Sequence, residues 1–202
     1  PYVSVAFKIH EFRHKYLYVK PDYGELVLGG AEKPAGLDST DYTIIGLLSE
    51  NARASLVDIA EKLETTPRMV GYRIKKLVAD KVILAFRARI NTALLGYDYY
   101  KVFLTLQSFD EKAESKITAF LRYHPNIIYV TKPMGTHTLE FEAVVRSANE
   151  LHEIMRKFKQ QFGDMLIDYE ILFNYEVRSV AYLPKSKADG EHEHSTAATA
   201  SA

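Results

Sequence analysis

The chain contains no cysteine, which excludes disulfide frameworks, thiolate zinc sites and cysteine nucleophiles together and fits a reducing cytoplasm. No window approaches the roughly 18 uninterrupted apolar residues that a membrane helix needs, and no secretory signal is visible, so a cytoplasmic protein is expected. Net charge is missing as well, since 26 basic residues balance 26 acidic ones and the whole-chain value says nothing about a polyanionic partner. Phosphate-cradling glycine loops, nucleophile elbows and paired catalytic carboxylates are absent, so no catalytic residue is assigned and no enzyme is expected. His10 and His14 share a face at strand spacing without a carboxylate cluster beside them. Glu191-His192-Glu193-His194 sits in a stretch that cannot preorganise ligands, so neither a metal nor a cofactor is expected.

What is present is an ordinary globular composition, 47% apolar and 26% charged over 202 residues, with room for two small domains. Residues 1–36 read as an extended segment and linker: Val3, Val5, Phe7 and Ile9 alternate, Tyr16 to Val19 is again β-rich, Pro21-Asp22-Tyr23-Gly24 is a turn signal, and Gly29 to Gly36 links. Residues 37–96 change to a helical period and then to a short β-like stretch from Val82 to Ile90. Residues 97–184 alternate strand and helix patterns. Residues 185–202 have little apolar bulk and no period, as expected of a disordered tail.

Three helix starts follow one another in the second segment. Asp38 is placed as an N-cap with Asp41 three residues on, Leu37 is set to staple against Tyr42, and Ile44, Ile45 and Leu48 form the buried stripe. Ser55 and Asp58 repeat the capping pattern, with Leu56, Ile59, Ala60 and Leu63 as the apolar face. After the break at Glu64-Thr65, Thr66 caps a third helix whose first residue is Pro67, where a missing N–H costs nothing. On a wheel of about 100° per residue, Val70, Ile74, Leu77 and Val78 face the core. Arg68, Tyr72, Lys75 and Lys76 lie opposite, and Arg73 falls on the border.

Between Thr65 and Ile90 there are seven basic residues (Arg68, Arg73, Lys75, Lys76, Lys81, Arg87, Arg89) and one acidic residue, Asp80. Taken alone, a basic helix face is only a solvated surface. Two short helices before it and a strand pair carrying Arg87 and Arg89 after it make up the parts of a winged helix-turn-helix. The expected DNA-contacting set is Ser55, Thr65, Thr66, Arg68, Met69, Tyr72, Arg73, Lys75, Lys76, Arg87 and Arg89, types that reach phosphates and major-groove base edges. The amino-terminal amides beside Ser55 offer a phosphate hold.

In the following domain, Tyr100, Val102, Leu104 and Leu106 share one strand face, and Lys101, Phe103 and Thr105 the other. A helix at 111–123, strands at 127–131 and 139–145, a helix with the stripe Leu151, Ile154, Met155, Phe158 and Phe162 closing at a left-handed Gly163, and a strand at 167–177 complete the order βαββαβ. The fold class is therefore α+β: a winged helix-turn-helix, then a ferredoxin-like sandwich with helices on one sheet face. On the other, partly apolar face Phe103, Phe173 or their neighbours are expected to stay exposed in a single chain, which predicts a homodimer through this domain.

These residues resemble the Lrp/AsnC, or feast/famine, family of transcriptional regulators. The resemblance rests on Leu37-Asp38-Ser39-Thr40-Asp41 with Ile44, Ile45 and Leu48, then Asn51-Ala52-Arg53-Ala54-Ser55, and then Ile59-Ala60, Leu63, Val70, Arg73-Ile74 and Leu77. It continues through Val82-Ile83, Leu95-Gly96-Tyr97, His124-Pro125, the Gly135 loop and Phe162-Gly163, covering roughly Leu37 to Tyr182. It implies a prokaryotic, cytoplasmic regulator that binds pseudo-palindromic double-stranded DNA as a dimer, or as an octamer or similar ring, and answers to an amino acid or related small molecule. Effector contacts are implied at Gly135, Thr136, His137 and Thr138. The chain departs from the pattern at Glu64, where the family usually has glycine, and at Thr138, where it often has aspartate. Tyr2 to Val19 is faintly similar to Ile167 to Pro184, so the amino-terminal segment is either the remnant of an upstream sensing domain or an added hairpin that packs on the wing or the dimer partner. Two other functions stay open: a sensor without DNA binding, and an enzyme on the same plan, as in a related class that decarboxylates tetrapyrroles.

Overall fold

A computed structural model describes residues 5–12, 15–17, 25–29, 36–88 and 90–175. These fall into two compact units, one holding the described residues up to 29 and from 90 onward, the other residues 36–88. The predicted turn at residues 21–24, Arg89, His14 and the carboxy-terminal tail lie outside the described residues. Among the described residues no helix is long and apolar enough to cross a membrane.

The smaller unit is three helices: α1 (Ser39–Glu50), α2 (Leu56–Lys62) and α3 (Pro67–Ala79). Its core is Ile44, Leu48, Ile59, Ala60, Val70 and Leu77, with Leu37, Ile45, Leu63, Ile74, Val82 and Ile83 packed around it. The stripe is narrower than the sequence predicts. Val78 is 45% exposed, Leu56 42% and Tyr42 56%, because two thin helices cannot cover the full arc of a third.

Each helix starts as its sequence dictates. The Asp38 carboxylate accepts from the Asp41 amide in a capping box, Ser55 accepts from Asp58, and Thr66 accepts from Met69 with Pro67 in the first turn. Helices α2 and α3 end alike. After α2, the Glu64 amide bonds to Glu61 O and the Thr65 amide to Ala60 O; after α3, the Lys81 amide bonds to Val78 O and the Val82 amide to Leu77 O. Both are Schellman closures, and their left-handed residues are Glu64 (φ 50°) and Lys81 (φ 57°) rather than glycine.

The second closure explains a difference from the sequence reading. Val82 and Ile83 both donate to Leu77 O, which folds the chain back onto the end of α3, and no strand forms among described residues 82–88 or at Ile90. Among the described residues the helix-turn-helix therefore stands without a paired wing.

The larger unit is a six-stranded antiparallel sheet with two helices, its strands running across the sheet in the order Glu25–Gly29, Val5–Phe12, Ile127–Met134, Leu139–Val145, Asp98–Leu106 and Leu166–Phe173, that is β2-β1-β4-β5-β3-β6. Strands β3 (Asp98–Leu106), β4 (Ile127–Met134), β5 (Leu139–Val145) and β6 (Leu166–Phe173), with α4 (Glu111–Tyr123) and α5 (Ala148–Phe162), follow the predicted βαββαβ order. Val102, Leu104, Leu106, Val130, Phe141 and Ala143 meet Ile117, Leu121, Ile154, Met155 and Phe158 in one core. Gly163 does not end α5 in the left-handed conformation; its φ and ψ are −57° and −36°, and a short 3-10 turn carries the chain to β6.

The two further strands come from the amino terminus. Strand β1 (Val5–Phe12) pairs antiparallel with the outer edge of β4, and β2 (Glu25–Gly29) pairs with β1. This favours the added-hairpin alternative for that segment, but the hairpin pairs with β4 of its own chain and not with the wing or a dimer partner. Glu25 clasps the hairpin, accepting from Arg122 Nη2 at 2.7 Å and meeting His10 Nδ1 at 2.5 Å. Tyr16 then covers part of the helix-free sheet face in a second cluster with Tyr97, Ile128 and Val144.

On that same face Phe103 is only 3% exposed, against expectation, because the His137 ring lies 4.9 Å away and the Lys101 ammonium 5.3 Å from its ring centre. Phe173 is 49% exposed, but its register opposite Tyr100 sets it on the helix-bearing face rather than beside Phe103.

Candidate nucleic-acid interface

Helix α3 buries Val70 and Leu77, packs Ile74 against the same core, and turns its opposite surface outward. Arg68, Tyr72, Lys75 and Lys76 are all exposed along this surface, as are Met69 at 48% and the preceding Thr65 and Thr66. Two cations flank an aromatic that is 66% exposed, with a third cation one residue on. Such a surface supplies phosphate partners, bidentate donors for base edges and a flat ring for a thymine methyl or a sugar.

The polar residues around it are partly committed. The Thr66 hydroxyl accepts from the Met69 amide at 3.3 Å, and the Ser55 hydroxyl accepts from the Asp58 amide at 3.0 Å. As hydroxyls, both retain an O–H to donate outward. Arg87 is exposed on the chain leaving α3.

Arg73 behaves differently from its predicted companions. Its Nη1 donates to Asp38 Oδ2 at 2.7 Å and to Asp41 Oδ1 at 2.8 Å, across the interface between α3 and α1. The guanidinium holds the Asp38 carboxyl below the usual carboxylate range, and the two acids raise Arg73 above its ordinary value. Reasoning from the sequence missed this clamp, although its signal was there: the α3 cation nearest the core stripe, and two acids at the start of α1.

In the larger unit the implied effector loop joins β4 to β5. Gly135 holds φ 151°, and Gly135 and Thr136 are exposed. Thr138 is a fastener: its Oγ1 accepts from the Leu106 amide at 3.0 Å and lies 3.3 Å from Leu106 O, while its own amide donates to Leu104 O at 2.8 Å. His137 is packed on Phe103. The four residues are contiguous, but only the first two present open surface.

A further polar cluster lies on the helix-free face. Lys101 Nζ is 2.8 Å from Glu140, whose side chain is 1% exposed, and 3.8 Å from Glu142, to which the Tyr99 hydroxyl donates. Burial raises the Glu142 carboxyl and the Tyr99 phenol above their ordinary values.

Comparison with known proteins agrees with this geometry. Residues 37–78 match the AsnC-type helix-turn-helix domain. An HTH-type transcriptional regulator of Pyrococcus furiosus is 27% identical over 128 residues, covering 62% of this chain and 82% of its own length. The regulatory protein AsnC of Haemophilus influenzae is 23% identical over 154 residues, covering 69% and 92%.

Among solved structures, Escherichia coli AsnC superposes with a TM-score of 0.59 at 21% identity, over 72% of this chain and 99% of that one. A Neisseria meningitidis transcriptional regulator solved as an L-Met complex gives 0.63 at 18% identity, over 73% and 96%. At these identities the structures speak for the fold. Residues 37–78 thus carry a match to the AsnC-type helix-turn-helix domain, and the chain is similar to HTH-type transcriptional regulators, AsnC among them, along most of their length.

Proposed function

We propose that the chain recognises a specific duplex sequence by laying α3 in the major groove, with Arg68, Tyr72, Lys75 and Lys76 toward the bases and the adjoining phosphates. The observation that carries this reading is the split surface of α3, apolar inward and cationic outward, behind a tight helix pair. Thr65, Thr66 and Met69 line the amino-terminal end of that surface, the Ser55 hydroxyl donates to a flanking phosphate, and Arg87 grips the backbone beyond α3. No step of this reading is catalytic.

Selection of genomic fragments by the purified chain tests it. The wild type is expected to recover a reproducible set, and an Arg68→Ala, Lys75→Ala double variant to lose it. Unchanged recovery by the double variant would refute the assigned face.

The regulator works as a homodimer through the larger unit, where β6 leaves Ile167, Ile171, Leu172 and Phe173 at 62%, 46%, 42% and 49% exposure. Its effector is a small molecule of the amino-acid class taken at Gly135 to Thr138. The L-Met complex of the Neisseria regulator supports that class, and the exposed Gly135 and Thr136 support the place. An amino acid bound at a hundred times its Kd is expected to stabilise the chain by about 2.7 kcal/mol. Thermal scans flat across all twenty amino acids would remove the effector from this reading.

A further inference from the structure

The sequence places Arg73 among the DNA contacts, but its geometry points elsewhere. One nitrogen, Nη1, sits at 2.7 Å and 2.8 Å from two different carboxylates, Asp38 and Asp41. Those two acids already close the capping box of α1, with the Asp41 amide donating to Asp38 Oδ1 at 2.8 Å and the Asp38 amide to Asp41 Oδ2 at 3.4 Å. The box that starts α1 is therefore also the anchor for the middle of α3. Asp41 has a side chain only 11% exposed, and Arg73 one 27% exposed. Drawing the guanidinium out to a phosphate would leave a mostly buried carboxylate without its cation, a change that proteins tolerate poorly.

We propose that Arg73 is a positioning residue: it stays on Asp38 and Asp41 in the DNA complex and fixes the rotation and depth of α3, so that Arg68, Tyr72, Lys75 and Lys76 meet the groove together. Helix α3 touches the rest of its unit through a narrow stripe of Val70, Ile74 and Leu77, at whose edge Val78 is already 45% exposed. Apolar packing along so narrow a stripe tolerates rolling, because it carries no directional preference. A charge-assisted hydrogen bond to two fixed acceptors does not. This inference rests on the proposed docking of α3, and it separates the residues that touch DNA from the one that aims them.

The test uses the full chain and a duplex enriched by the wild type from a random-sequence pool, with affinity followed over a salt series. Removing one cation from a phosphate lowers the slope of log K against log salt by about 0.9, as is expected for Arg68→Ala. Arg73→Met is expected to weaken binding by roughly tenfold while leaving the slope at the wild-type value. An Asp38→Asn, Asp41→Asn pair, whose asparagines still cap, is expected to weaken binding too. Adding Arg73→Met to that pair is expected to change affinity little further.

A direct role at the phosphates gives the opposite pattern. The slope falls with Arg73→Met, the two-asparagine variant binds more tightly because the arginine is released, and the effects add; that pattern overturns the proposal. If Arg73→Met fails to fold, Arg73→Gln decides by the same slope, since it removes the cation while keeping amide donors for the two acids. A wild-type chain that enriches no duplex at all would sink the docking of α3, and the aiming role with it. Enrichment with a reduced slope in the Arg73 variants sinks only the aiming role.

Discussion

At the scale of single residues, Glu64, Lys81 and Ser108 sit at positive φ, and at the first two a glycine would relieve strain where a helix closes. Glu64 and Lys81 occupy the left-handed step of their Schellman closures, where a side chain costs about 1–2 kcal/mol and glycine's greater freedom in the unfolded chain returns part of any gain. Glu64→Gly and Lys81→Gly are each expected to stabilise by about 0.5–1 kcal/mol and to add in the double variant. Urea melts with unchanged m-values would show it, and a loss of stability at either site would contradict the closure geometry. Glu142 carries a different load. Its folded carboxyl is raised by burial, so its contribution to stability is greatest below the unfolded carboxylate value of about 4.3 and is lost as pH climbs through the raised value. Glu142→Gln keeps an acceptor for the Tyr99 hydroxyl and removes the titration. The wild type is therefore expected to lose Tm relative to this variant as pH rises from acid toward neutral, and parallel Tm curves would argue against a raised Glu142.

Among the elements, the amino-terminal hairpin is the one the core explains least. Strand β1 adds to the β4 edge by backbone pairing, and of the described side chains in it Phe12 enters the main core. The charged clasp at Glu25 ties the hairpin to the last turn of α4 through Arg122. That guanidinium is 39% exposed, so Glu25→Gln is expected to cost no more than about 1 kcal/mol, and to cost it locally. Hydrogen exchange should show β1 and β2 amides opening several-fold faster while β5 amides keep their protection. Uniform loss of protection across the sheet would mean that the hairpin is integral to it. Helix α3 makes the complementary point: its outward charges contribute little to folding, so Lys75→Ala and Lys76→Ala are expected to leave stability within about 0.5 kcal/mol of wild type while weakening DNA binding.

For the whole molecule, a net charge of zero gives no general attraction to a polyanion, and the proposed docking on DNA rests on the local cationic surface. Affinity for DNA is therefore expected to fall steeply with salt, with a log–log slope of several units for a dimer that engages a few phosphates on each half. A slope near zero would deny the electrostatic footprint. Light scattering at micromolar concentration is expected to give the mass of a dimer. The grounds for that differ from those in the sequence: Phe103 is covered within the chain, and the exposed residues of β6 are what remain to be buried.

Much of this protein was legible in its sequence because the signals are local. Caps at Asp38, Ser55 and Thr66, proline in the first turn of α3, the 3.6-residue stripe and the strand alternation of β3 act over a few residues, and each sits where periodicity and hydrogen-bond chemistry place it. What depends on partners distant in sequence could be decided only by tertiary structure. Arg73, grouped with the DNA contacts by its place on α3, bridges to Asp38 and Asp41 because these acids, more than thirty residues earlier, lie within hydrogen-bond reach of it. Phe103 is buried by His137, the wing gives way to a closure on Leu77, and the amino-terminal strand finds the edge of β4. Periodicity says which face of an element is apolar or charged, while the fold determines what that face meets, since interaction energies depend on through-space distance and not on position in the chain.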